Sequence, residues 1–305
     1  MKWGRYIGIL IAVVIVGLVA LFAGLLEGKQ IDVLNPSGAV ADQQRTILLF
    51  TVLLSSLVVV PVFTMLIAFS IRYRAGNHKA AYRPEWAENK FLEGLWWGIP
   101  ILIIGVLGVI TWQTSHSLDP YKGLAGGKPL EVQVVALQWK WLFIYPEQKI
   151  ATLNYMPAPV NRPIHFSLTA DAPMSAFWIP ALGTQIYAMN GMESQLNLKA
   201  TRLGDFTGYT TNINGKGYAD MKFKAKIMKK EAFDQWVMDA QGSAGRMDES
   251  RYNALAKPKV QTNEVTYKLT QGDLFNTIMA KHMSHGSADP SAHEHMDHST
   301  MGENQ

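Results

Sequence analysis

Three apolar blocks crowd the first 112 residues, and they constrain this chain more than anything else in its sequence. They cover residues 6–26, 46–71 and 92–112. A run of about 20 apolar residues suffices to cross the ~30 Å hydrocarbon core of a bilayer. Of 305 residues 48% are hydrophobic and only 17% charged, and the excess sits in these blocks. The pattern predicts a membrane-anchored protein with one soluble domain.

Charge sets the orientation. Residues 72–91, between the second and third blocks, carry Arg72, Arg74, Lys79, Arg83 and Lys90. Short loops rich in Lys and Arg stay in the cytoplasm, which places this loop inside and everything after about residue 114 outside. Lys2 and Arg5 precede the first block and agree with an N-in, C-out topology. The expected location is a bacterial inner membrane, crossed more than once, with the C-terminal domain in the periplasm or outside. Residues 1–30 read as a signal anchor or a signal sequence. The anchor is favoured, because the apolar run exceeds the 7–15 residues of a typical signal peptide and a lipoprotein-type cleavage site needs a cysteine that this chain lacks. Residues 31–115 then form a transmembrane helical hairpin.

From residue 116 to 228 the text changes to short β-branched runs separated by Pro, Gly, Asn and Asp. Strands are expected at 131–137, 139–145, 164–169, 184–189, 194–200, 204–208 and 221–227, an all-β sandwich or barrel. Trp139, Trp141, Phe143 and Tyr145 alternate, which puts them on one face of a strand. Residues 229–280 read as an extension of short helices at 231–239, 249–256 and 274–279. The last stretch, 281–305, is rich in His and Met but poor in apolar residues, and is expected to be disordered. Its His293, His295 and His298 are weak metal candidates. A solvated tail is the plainer reading, since imidazole and thioether groups have incidental affinity for copper. Lys222, Lys224, Lys226, Lys229 and Lys230 contribute to a net charge of +4. On an extracytoplasmic domain of mixed charge they do not suggest nucleic acid, and they disfavour docking of a basic cytochrome.

The segment FTGYTTNINGKGYADM, residues 206–221, has the spacing of a metal loop, yet the chain contains no cysteine. A thiolate-bridged dinuclear copper centre is therefore impossible here.

Several motifs together carry a family resemblance. They are EGLWWGIP at 93–100, Trp112, QWKWLFIYPEQKIATLNYMPAP at 138–159 and SAFWIPALGTQIYAMNGM at 175–192. In this order they resemble subunit II of the haem–copper terminal oxidases, most closely the cytochrome bo-type ubiquinol oxidase branch, from about residue 31 to 237. The resemblance implies a membrane-anchored α plus all-β protein whose outer domain is a cupredoxin-like Greek-key sandwich. In the branch that uses cytochrome c, a copper motif of His, two Cys, Glu, His and Met falls on Ser175, Thr210, Asn214, Asn212, Tyr218 and Met221. Only Met221 matches, and on its own it reads as a packing residue. Hydrogen bonds from the polar replacements are expected to hold the loop, the alternative being a mobile, exposed loop. Without copper the aromatic strand has no electron acceptor beside it and reads as a packing or partner face.

Glu93 matches the glutamate that the family places at the mouth of a proton-uptake channel. Read from the residues alone, it is a first-turn carboxylate complementing the helix dipole. The resemblance further implies a non-catalytic subunit of a proton-pumping ubiquinol oxidase that binds no cofactor itself. Haems, copper and the quinol site belong to subunit I, with subunits III and IV and membrane lipid as further partners and no cytochrome c. The rivals are a menaquinol oxidase subunit of the same family and a membrane-anchored copper-delivery protein that uses the tail.

Overall fold

A computed structural model describes residues 31–77, 85, 88–243, 245–270 and 272–283. The expected anchor at 1–30 and the tail candidates His293, His295 and His298 lie outside the described residues. The chain divides into two compact units, Met1–Leu124 with Pro180–Thr184 and Leu198–Arg202, and the remainder.

In the first unit, α1 (Ala39–Arg72) and α2 (Lys90–Ser117) are long and apolar enough to cross a membrane. Both begin before their apolar blocks, because the polar residues ahead of each block also favour helix and each start is fastened. Asn89 caps α2, its side chain accepting from the Phe91 and Leu92 amides at 3.1 and 3.2 Å. Before α1, the Ser37 amide donates to the Ala181 carbonyl at 2.7 Å, and the Thr201 amide donates to Ser37 at 2.7 Å. Gly38 approaches so closely that a Cβ there would lie 2.3 Å from the Leu182 carbonyl oxygen, so no side chain fits. Pro61 and Pro100 sit inside these helices, where neighbouring groups in a membrane can satisfy the freed carbonyls. Large apolar side chains such as Leu53 and Leu102 point outward, which suits lipid or another membrane subunit and not water.

The second unit is a two-sheet sandwich. Its strands are β1 (Leu130–Leu137), β2 (Lys140–Tyr145), β3 (Ile150–Leu153), β4 (Tyr155–Pro159), β5 (Pro163–Ala170) and β6 (Ser175–Trp178). They continue as β7 (Ile186–Ala188), β8 (Ser194–Lys199), β9 (Gly204–Thr210), β10 (Lys222–Met228), β11 (Gly245–Met247) and β12 (Val265–Leu269). One sheet has the order β11-β12-β3-β2-β1-β5-β8 and the other β4-β10-β9-β6-β7. Between them lies an aromatic core. Phe177 stacks on Phe223 with centroids 5.1 Å apart, and it meets Trp141 at 5.3 Å, Phe166 at 5.3 Å and Phe143 at 6.2 Å.

Strand β2 is buried along its whole length, unlike the half-exposed pattern of an outer sheet face. The cause is the C-terminal extension, with helices α3 (Lys230–Ser243), α4 (Glu249–Ala256) and α5 (Leu274–Met283). Leu142 and Ile144 point away from the aromatic core and pack with Met247, Tyr252, Leu255, Leu269, Phe275 and Ile278. The extension does more than the expected short helices, since it also adds β11 and β12 to the larger sheet, β12 pairing with β3. Trp139 departs from its expected strand: it lies in the turn before β2 with φ +62°, in the left-handed region. Only Trp141, Phe143 and Tyr145 share the inner strand face.

Candidate functional site

Pairing of β6 with β9 sets Phe177 opposite Thr210, and pairing of β10 with β9 sets Lys222 opposite Tyr209. These registers bring Ser175, Thr210 and Met221 to one end of the smaller sheet, where all are buried. The connection from β9 to β10 supplies Asn212, Asn214 and Tyr218, the last opening a single 3-10 turn, Tyr218–Asp220. The six positions expected from the copper motif thus belong to one compact end of the domain.

Asn214 organises it. Its amide nitrogen donates to Ser175 Oγ at 2.9 Å and to the Met221 sulfur at 3.1 Å. Ser175 Oγ in turn donates to the Pro173 carbonyl at 3.2 Å, and Asn212 Nδ2 donates to the Met174 carbonyl at 2.8 Å. Thr211 Oγ1 donates to Gln185 Oε1 at 2.6 Å. From the other side, Trp139 Nε1 and Gln138 Nε2 donate to the Asn214 carbonyl at 3.2 and 3.4 Å. The Trp139 indole lies against Gly217, where a Cβ would come within 2.4 Å of the ring. Gly217→Ala must therefore push the indole off the loop, and a loss of about 1–3 kcal/mol is expected, read by chemical denaturation with a matching change in tryptophan fluorescence.

The donor set does not fit a dinuclear copper centre. It offers a hydroxyl pair, two amides, a phenol and one thioether, with neither thiolate nor imidazole, and soft thiolates are what such a centre needs. The thioether itself accepts a hydrogen bond from Asn214.

The chain is 43% identical over 271 residues to the cytochrome bo(3) ubiquinol oxidase subunit 2 of Pseudomonas putida, covering 88% of this chain and 86% of that one. It is 44% identical over 261 residues to the ubiquinol oxidase subunit 2 of Acetobacter aceti, covering 85% of each. This chain belongs to the ubiquinol oxidase subunit 2 family. A family model described as the COX Aromatic Rich Motif matches residues 241–286. Among solved structures, the chain is similar to the periplasmic domain of subunit II of cytochrome oxidase from Bradyrhizobium japonicum. That likeness has 26% identity, covers 38% of this chain and 96% of that one, and has a TM-score of 0.36.

In this family member the aromatic run divides its work. Trp139 covers the loop, while Trp141 and Phe143 build the inter-sheet core. Tyr145 turns towards α3, 5.6 Å from Trp236 and 6.5 Å from Phe233, and its hydroxyl donates to the Pro157 carbonyl at 2.9 Å. Burial pushes the Tyr145 hydroxyl far above its usual pKa, so it stays a neutral donor. Glu93 lies in the exposed first turn of α2, close behind the Asn89 cap.

Two polar centres carry no sequence signal. Buried Lys140 donates from Nζ to the Lys257 and Lys259 carbonyls, each at 3.0 Å, fastening the segment after α4. Burial, together with the charge of Lys259, lowers its pKa. Asp171, just after β5, is the second. Its carboxylate accepts from the Tyr252 hydroxyl at 2.6 Å, from His282 Nε2 at 2.6 Å and from Lys281 Nζ at 3.1 Å. Burial opposes its ionisation, but these donors outweigh that effect and hold its carboxyl below the usual value. Burial, reinforced by the bond to Asp171, raises Tyr252.

Proposed function

We propose that this chain is subunit II of a proton-pumping respiratory quinol oxidase that oxidises ubiquinol and reduces oxygen to water. In this reading it holds no redox centre. The observation that carries it is the loop of residues 210–221, where Asn214 bonds to Ser175 and Met221 at the positions a cytochrome c oxidase would need for copper ligands. Quinol delivers its electrons from within the membrane, so no outer relay is needed. The haems, the copper and the quinol site then belong to subunit I, and subunits III and IV and lipid complete the surroundings. The apolar surfaces of α1 and α2 fit packing against subunit I in the bacterial inner membrane. The basic loop at 72–91 fits the cytoplasmic side and the sandwich the periplasm.

The deciding experiment purifies the tagged chain in mild detergent and follows oxygen uptake with ubiquinol, menaquinol and reduced cytochrome c. The expected result is co-purified haem, uptake driven by ubiquinol, none driven by cytochrome c, and no spectrum of a dinuclear copper centre. A haem-free preparation, or uptake from cytochrome c, would sink the reading.

Glu93 is assigned to proton uptake from the cytoplasmic side. Its support is a carboxylate in the first turn of α2, at the expected membrane boundary. Glu93→Gln is expected to slow ubiquinol-driven turnover while leaving haem content unchanged, as read by stopped-flow oxygen reduction with a pH indicator. Unchanged turnover and proton uptake would leave the helix dipole as its whole role.

A further inference from the structure

We propose that His282, Met283 and Met192 form a copper(I)-binding site on the outer domain, separate from the former copper loop. Helix α5 ends at His282 and Met283, and here the backbone of the extension meets the β7–β8 connection. A Cβ placed on Gly191 would lie 3.3 Å from the His282 carbonyl carbon, 3.4 Å from the Met283 nitrogen and 3.5 Å from the His282 Cβ. Met192 follows Gly191 directly, so two thioether side chains leave adjoining stretches of backbone beside one imidazole. Both methionines are 54% exposed. Their thioethers are therefore open to a metal ion from solvent.

The imidazole is oriented by a buried carboxylate. His282 Nε2 is bonded to Asp171 Oδ1 at 2.6 Å, and the Asp171 side chain is only 5% exposed. With the proton on Nε2, this bond fixes the ring and leaves Nδ1 as the nitrogen that carries the lone pair, the arrangement that carboxylates impose on metal-ligating histidines. One imidazole and two thioethers form a soft, neutral donor set, which selects copper(I) over zinc or the hard divalent ions. Lys281 Nζ, 3.1 Å from the same carboxylate, compensates its charge and so disfavours a dication more than a monovalent ion. The sequence continues with Ser284 and His285 and three more histidines and two methionines by residue 301, so the site stands at the root of the His/Met-rich tail.

The test is anaerobic competition with bicinchoninate for copper(I), using the intact oxidase complex and counting copper above its resident content. Wild type is compared with Met192→Leu/Met283→Leu and with a chain ending at Met283. Leucine conserves volume on an exposed surface, and ubiquinol-driven oxygen uptake checks that each complex is intact. The expected result is one added copper(I) per chain, at least about tenfold weaker binding in the double leucine variant, and retention in the shortened chain. Asp171→Asn should weaken binding by about 10–100-fold, as loss of an orienting partner does. Absence of copper(I) uptake by wild type overturns the proposal. So does any pattern in which truncation removes binding or the leucine variant keeps it, because the metal would then sit on the tail or elsewhere.

Discussion

Replacing Phe177 with alanine is expected to destabilise the outer domain by about 3–5 kcal/mol, the range for deleting a buried aromatic ring. Phe177 is wholly buried and meets Trp141, Phe143, Phe166 and Phe223, so the ring ties β2 and β5 of one sheet to β10 of the other. Close-packed neighbours cannot collapse into a space of that size, and the lost edge and stacking contacts add to the transfer cost. Phe177→Leu should lose clearly less, because most of the volume is kept. Chemical denaturation of the purified oxidase, followed by tryptophan fluorescence, reads both. Equal losses for the two variants would mean that ring geometry, not volume, controls the core.

Asp171→Ala should cost about 2–4 kcal/mol, since it removes one acceptor and leaves the buried Tyr252 hydroxyl and the partly buried His282 without it. The loss should also depend on pH. The folded-state pKa of Asp171 lies below the ordinary value of 3.8. Its contribution is therefore complete above that value and fades as pH falls from there through the folded-state pKa. Wild type should lose stability on acidification below about pH 4, and the variant should show a shallower loss over the same window. Thermal melts between pH 3 and pH 7 compare the two, and parallel curves would remove Asp171 from the account. The first element to loosen should be α5, detected as faster amide exchange near residues 274–283.

Much of this architecture could be read from residue order, and the failures have physical causes. The two membrane helices followed from block length and the basic loop, although their polar first turns were invisible to an apolar count. Strand β4 escaped because it reads Tyr-Met-Pro-Ala-Pro. Proline cannot donate within a sheet, but β4 is the edge strand of its sheet among the described residues and pairs with β10. Trp139 was assigned to a strand by alternation, and no pattern announces a left-handed tryptophan. The copper-motif positions could be aligned, but the Asn214 bonds to Ser175 and Met221 join residues 39 and 7 apart and had to be seen. Asp171 was harder still, because its partners lie 81 to 111 residues away. A lone aspartate in a turn advertises nothing.

The Asn214 network also bears on how such a domain matures. A loop closed by an amide, a hydroxyl and a thioether reaches its final shape when the chain folds. It waits for no metal insertion, and with no cysteine in the chain it needs no reductant to keep a ligand pair open. Its biogenesis is therefore uncoupled, at this loop, from copper supply and from thiol oxidation outside the membrane. A cell starved of copper or exposed to oxidants can still complete this part of its respiratory machinery.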